Sequence, residues 1–181
     1  PDQDLLYARG VWHYAQGRAR LGTGDVAGAR EHATALATLR AMPELETLTF
    51  FGRDGGAPLL AVAADMLAGE IALAEGDPSR AIEHLTAAVR NEDALSYTEP
   101  PDWFYPARHS LGFAQLAAGE PTAAEATYLA DLEIMPENGW ALLGLEQALR
   151  AQGRDAEADA AGARFRAAWV PADMTIEASR I

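Results

Sequence analysis

Side chains able to do acid–base or metal chemistry are thinly spread along this sequence. It holds four histidines and no cysteine, which excludes disulfides, thiolate metal sites and a cysteine nucleophile. His13 and His109 are the candidate metal ligands, since they fall at adjacent positions of an internal repeat, two units apart and on one side of it. A third ligand would have to come from the unit between, as Asp65 or Glu70. No HExxH and no tightly spaced His/Asp cluster accompanies them, so both histidines read first as hydrogen-bonded structural residues. No metal and no other cofactor is expected. His32 and His84 read as surface or packing residues. Ser110 follows His109 directly, but no GxSxG elbow surrounds it, and neighbours in a helix face different ways. Gly52-Arg53-Asp54-Gly55-Gly56 lacks P-loop and GxGxxG spacing and reads as a turn. Asp155 and Asp159, one helical turn apart, read as a solvated face. With no nucleophile, base and oxyanion donor assembled, the chain is not expected to be an enzyme.

The elements that would position these residues announce themselves by repetition. Four segments share a glycine-polar breaker followed by a helix start: Gly24-Asp25, Gly76-Asp77-Pro78, Gly119-Glu120-Pro121 and Gly153-Arg154-Asp155. Glycine ends one helix in the left-handed conformation, Asp caps the next, and Pro suits its first turn. Seven residues before three of these glycines stand Gly17, Gly69 and Gly112; the fourth array has Glu146 there, with Gly144 two residues earlier. Five residues after the joints stand Ala29, Ala81, Ala124 and Ala158, and four further on Ala33, Leu85, Tyr128 and Gly162. Small residues at the first two places let the helices of a pair approach closely. The interval from Gly119 to Gly153 is 34 residues, while those from Gly24 to Gly76 and Gly76 to Gly119 are 52 and 43. The surplus falls in Pro43–Pro58 and around Asn91–Tyr105. Helices are predicted at about 4–22, 26–41, 58–75, 78–91, 103–118, 121–134, 138–152 and 155–169. Pro106 leaves open a later start for the fifth, at Pro106 itself.

Leu111-Gly112, Gly119, Ala124, Tyr128 and Pro136 match the tetratricopeptide pattern closely, as do Gly69, Gly76, Ala81, Leu85 and Ala88. Gly17, Gly24 and Ala29 match it more loosely, and so do Leu145, Gly153 and Ala158. The chain therefore resembles a tetratricopeptide-repeat protein over most of its length. Trp12-His13-Tyr14-Ala15-Gln16-Gly17, Glu99 to Gly112 and Pro136 to Leu145 further resemble the C-terminal part of a group of longer bacterial proteins of this type, which carry more helical repeats upstream. The expected fold is all-α, a right-handed α-solenoid of about four antiparallel helix pairs. It forms one domain over 1–181, with units at about 4–41, 58–91, 103–135 and 138–169, insertions at about 43–57 and 92–102, and a tail at 170–181. The tail is expected to lie across the last pair as a cap.

The resemblance implies that the first helix of each pair lines a concave groove. Phase places Val11, Tyr14, Arg18 and Leu21 there in the first unit, and Ala63, Met66, Glu70 and Leu73 in the second. Pro106, His109, Phe113 and Leu116 follow, then Trp140, Leu143, Gln147 and Arg150. The partner-binding candidates are accordingly Tyr14, Arg18, Met66, Glu70, Trp103, Tyr105, His109, Phe113, Trp140 and Gln147. Trp103, Phe104 and Tyr105 stand beside Pro100-Pro101, either as a rigid recognition ledge or as a loop sealing the core. A lysine- and asparagine-based carboxylate clamp is not matched.

The charge selects among partners. A formal net charge of −13 repels phosphate backbones and anionic membranes, so nucleic acid is not expected. A basic protein or peptide suits it, with Glu70, Glu92, Asp93, Glu99 and Asp102 as the acidic rim. No apolar run approaches the ~18 residues of a membrane span. Leu5, Leu6, Tyr7, Val11 and Trp12 leave the first helix without a cap, which points to packing on upstream repeats or to a homo-oligomer. The leading expectation is a protein- or peptide-binding scaffold. The alternatives are an architectural or self-assembly module, and a metal- or small-ligand-binding domain using His13 and His109.

Overall fold

The four breaker glycines adopt the conformation that only glycine takes without strain: φ is 78°, 77°, 77° and 72° at Gly24, Gly76, Gly119 and Gly153. Each joint closes the same way. The glycine N–H donates to the carbonyl three residues back, as from Gly76 to Leu73 at 3.0 Å, and the next N–H reaches five back, as from Asp77 to Ala72 at 2.9 Å. This double bond set satisfies carbonyls that a helix end otherwise leaves open. Asp25 and Asp77 then cap the following helices by accepting from the N–H of Gly28 and Arg80. Pro78 and Pro121 occupy first turns, where a missing N–H costs nothing.

In the computed structural model, which describes residues 3–49 and 55–180, these joints separate α1 (Gln3–Gly22), α2 (Val26–Arg40), α3 (Gly56–Ala74), α4 (Pro78–Asp93), α5 (Ala107–Ala117), α6 (Pro121–Ile134), α7 (Gly139–Ala151) and α8 (Asp155–Trp169). A 3-10 turn, Pro43–Leu45, follows α2. The fold class is all-α, of the solenoid type built from antiparallel helix pairs. Among the described residues there is no strand; Thr49 makes a single antiparallel bridge to Gly55. The rest of the β-prone run, Phe50 and Phe51, and residues 52–54 of the glycine-rich turn lie outside the described residues.

The chain divides into two compact units, Pro1–Ala107 and Arg108–Ile181. In the first, α3 packs against α1, α2 and α4. It is apolar almost all round, as a helix with neighbours on several sides must be. This corrects the hydropathy reading: Gly56–Ala74 is 19 residues and apolar enough by length and composition to cross a membrane. Leu60, Val62, Met66 and Leu67 are fully buried against the surrounding helices, which accounts for that composition within the unit. In the second unit Ala124, Tyr128, Ala141, Leu145, Ala148, Leu149, Ala158 and Ala161 form a continuous core.

The small residues do what their spacing implies, with one change of neighbour. A Cβ on Gly69 would lie 2.5 Å from Leu85, and one on Gly112 2.3 Å from the Tyr128 ring, so these glycines face the second helix of their own pair. Gly17 does not: its nearest atoms belong to Leu67 of α3, at 2.6 Å. The second-helix position that holds Leu85 and Tyr128 elsewhere holds Ala33 here, and Leu67 fills the room from the next pair. Ala29, Ala81, Ala124 and Ala158 are all completely buried. Helix α5 begins at Ala107, later than 103. The ring of Pro106 disfavours helix at Tyr105, and the Ala107 N–H is taken by the Glu92 carboxylate at 2.8 Å. Trp103–Tyr105 are left in the preceding loop.

Candidate binding site

In the first unit the loop before α5 folds back on the first helices of the pairs. Trp103 packs edge-on against Tyr14, with ring centroids 5.3 Å apart, and Phe104 lies 5.3 Å beyond it. Tyr14, Met66, Trp103 and Tyr105 are all buried. Burial pushes the Tyr14 hydroxyl up to about 12; Glu70 adds to that and the Arg18 guanidinium opposes it. Glu70 is only 3% exposed and pairs with Arg18 at 3.3 Å. Of the predicted partner residues in this unit, therefore, Tyr14 and Trp103 are brought together, Arg18 and Glu70 are brought together, and Arg18 alone keeps appreciable solvent contact. The aromatic trio reads here as a sealed loop in which Phe104 stays outside, 73% exposed.

What the sealed loop leaves open is a small apolar hollow of about 70 Å³, lined among others by Tyr7, Val11, Leu59, Ala63, Asp102 and Phe104. Val11 is 41% exposed at its edge. Tyr7 has its hydroxyl raised by burial and by the Asp102 carboxylate. The Trp103 Nε1 is buried with no hydrogen-bond partner among the described residues. The acidic rim is broken up: Glu70 points inward, Glu92 caps α5, and Asp93, Glu99 and Asp102 stay exposed, with Glu99 accepting from the Tyr97 hydroxyl.

The histidines find partners that the repeat phase did not suggest. His13 on α1 meets His32 on α2, Nδ1 to Nδ1 at 2.9 Å, and the Trp12 ring stands edge-on to both at 4.8 and 5.4 Å. A hydrogen bond between two imidazoles requires one neutral nitrogen to accept. Burial, His32 and Arg9, in that order, hold His13 below its ordinary value. His109 belongs to the second unit. The proposed third ligands are engaged elsewhere: Glu70 with Arg18, and Asp65 with the Asn91 amide at 2.7 Å and Arg40 at 3.9 Å. Among the described residues no group of three or more His, Asp or Glu is placed to hold a metal ion.

In the second unit His109, 1% exposed, sets its Nε2 3.1 Å from the Asp131 carboxylate, itself 2% exposed. Ser110 is fully buried. The first-helix face of α5 and α7 is not bare. The segment after α8 touches the last pair, as expected, and continues from it onto α5. Trp169 packs on Trp140 with centroids 5.4 Å apart and donates its Nε1–H to the Met174 carbonyl at 2.8 Å. The Gln147 amide donates to the Glu177 carbonyl at 2.8 Å. The Tyr128 hydroxyl lies 2.6 Å from Ser179 Oγ, which donates to the His109 carbonyl at 3.0 Å. The Arg180 guanidinium sits 4.5 Å over the Phe113 ring. Three of the four predicted partner residues of this unit, Phe113, Trp140 and Gln147, are thus brought onto one face, to which His109 lends a backbone oxygen. Ser179 and Arg180 were not predicted; an aperiodic stretch such as Ile176-Glu177-Ala178-Ser179-Arg180 carries no pattern that would single them out.

A search of solved structures finds likeness of fold. The crystal structure of MamA protein superposes with a TM-score of 0.51 over 93% of this chain and 98% of that one, at 16% sequence identity. No family model matches the chain, and no curated protein matches it in sequence. The likeness supports a tetratricopeptide-like fold.

Proposed function

We propose that this chain is a protein- or peptide-binding scaffold that presents the first-helix faces of its pairs to a partner and carries out no catalysis. The observation that supports this most is the hollow of the first unit. Its floor is made rigid by the interlocked Tyr14 and Trp103 rings, while Val11 and Phe104 remain open at its edge. Rigid aromatic walls beside an exposed aromatic residue are the ingredients of a hot spot: large contact area at low entropic cost. The exposed Asp102 lines it, and the acidic excess of the chain favours a basic segment. In the second unit the partner set is Phe113, Trp140 and Gln147. The whole of 1–181 acts on this reading as one domain of four pairs.

Panning a displayed random-peptide library against the chain tests the proposal. Selected peptides are expected to be enriched in Lys and Arg and to lose binding to the Val11→Asp and Phe104→Ala variants. Peptides that bind both variants as well as the parent would place recognition elsewhere, and a library that yields no binder would remove the scaffold reading.

A self-assembly role is favoured by a different observation: Leu5 and Trp12 on α1 are 57% and 53% exposed. Sedimentation over a range of concentrations separates the two. Association that Trp12→Glu abolishes supports assembly, and a monomer at every concentration removes it.

A further inference from the structure

The segment after α8 makes contacts of the kind an extended peptide ligand would make. Its chain is neither helix nor strand from Pro171 to Arg180, and the surface it crosses grips it by alternating means: a side-chain amide on a backbone carbonyl (Gln147 on Glu177), a buried hydroxyl between two acceptor and donor groups (Ser179), and a cation over an aromatic face (Arg180 on Phe113). The hold is narrow. Pro171–Thr175 and Glu177 are exposed, Ile176, Ala178 and Arg180 are half-buried, and Ser179 alone is fully buried. An irregular terminal stretch that is exposed over half of its length belongs to the low-stability end of a fold.

We infer that residues 175–180 are a displaceable internal ligand of the α5–α7 face, and that the face recognises in trans an extended segment carrying a small hydroxyl residue followed by arginine. The inference rests on the scaffold reading for its biological use, but the contacts stand without it. The hydroxyl selects because Tyr128 and the His109 carbonyl meet at that point inside the unit: a Ser or Thr satisfies both, and an Ala leaves a buried donor and a buried acceptor facing nothing. The arginine selects because a planar guanidinium stacks on Phe113 where an ammonium does so less well. While the resident segment is seated, an external one must compete, and its apparent affinity falls in proportion to the fraction of chains with an open face.

The probe is a fluorescein-labelled peptide of residues 171–181, blocked at both ends, titrated into the full chain and into full-chain Ser179→Trp, whose side chain is too large for the seat. The expected result is saturable binding to Ser179→Trp at least ~10-fold tighter than to the parent. That gain should be lost when Phe113→Ala is added, and when the probe carries Ala at 179. Equal affinity for parent and variant, or no binding to a variant that keeps its helical circular dichroism, overturns the inference. So does a Ser179→Trp chain that fails to fold, because a segment needed for folding is a cap and not a ligand. Amide exchange of the parent supplies a second measurement. Residues 174–180 should open on their own, ahead of Gly139–Ala151; exchange that keeps pace with α7 would equally refute displacement. Failure here leaves the library result on Val11 and Phe104 untouched, so the two readings fall separately.

Discussion

Gly144→Ala is the substitution through which the packing argument is most exposed. The Tyr128 ring is fully buried and lies between two glycines: a Cβ on Gly144 of α7 would stand 2.2 Å from its Cζ, and one on Gly112 of α5 2.3 Å from the same atom. Ordinary contact begins near 3.4 Å, so the new methyl requires a displacement of more than ~1 Å. The ring has no direction of retreat, since Gly112 closes the far side and its hydroxyl is tied to Ser179 at 2.6 Å. Overpacking of this kind costs ~1–3 kcal/mol, and a demand this large belongs at the upper end. Replacing glycine inside a helix returns ~1 kcal/mol of backbone entropy. The net expectation is a loss of about 2 kcal/mol, seen as a fall in melting temperature of ~4–8 °C for a chain of this size. Melts followed by circular dichroism at 222 nm are the assay, with Gly22→Ala as the control: nothing lies within 4 Å of a Cβ there, so that variant should melt at or slightly above the parent. A cycle with Tyr128→Leu isolates the contact, and a coupling of at least ~1 kcal/mol is expected because Leu removes the ring atoms that clash. A Gly144→Ala chain that melts as high as the parent, or effects that simply add, would refute the claim that the glycines are there for Tyr128.

Three further outcomes follow from the same structure. Arg18→Met should destabilise by about 3 kcal/mol in urea melts, since it strips a guanidinium from the nearly inaccessible Glu70 carboxylate, and Glu70→Gln combined with it should recover part of the loss. Stability should decline on acidification above the carboxylate range: His13 is held below the ordinary 6.5, so the unfolded chain takes up its proton first. The contribution is whole above about 6.5 and is lost as the pH falls from there to the lower folded value; His13→Gln should flatten the slope between pH 8 and 5.5, and an unchanged slope would assign it to another group. Ala124→Leu, at a fully buried contact, should cost ~1–3 kcal/mol, and an unchanged melting temperature would contradict the repeat phase.

The helices and their joints were legible because they rest on local chemistry: each glycine must reach positive φ, and that requirement is written in residue type and spacing alone. Helix starts at Pro78 and Pro121 were read for the same reason. The groove residues were harder. Phase correctly placed Tyr14, Met66 and Glu70 on the first helices, but whether such a residue meets solvent depends on a loop that returns over it, and the path of 94–106 obeys no period. Gly17 shows a subtler failure, since its partner Leu67 was decided by the smallness of Ala33 in another helix. The His13–His32 contact needed the relative rotation of α1 and α2, and the crossing of Ser179 over α5 needed the course of an irregular segment. Both are set by tertiary packing, which sequence periodicity does not report. The apolarity of α3 was underestimated because Asp65 and Glu70 interrupt the run, although 19 residues remain apolar on average.

The Tyr128 wedge also fixes where this chain can be cut and rejoined. A repeat is usually exchanged at its breaker glycine or in the turn after its second helix. Here the side chain contributed by α6 requires one hole from α5 and another from α7, so a graft ending after Ile134 would deliver the bulk without half of the space for it. Transplanting α5–α6 into another array keeps its stability when the recipient supplies glycine at the place of Gly144, or when the border is moved past α7. The unit of inheritance in this half of the protein is therefore longer than the unit of its sequence period.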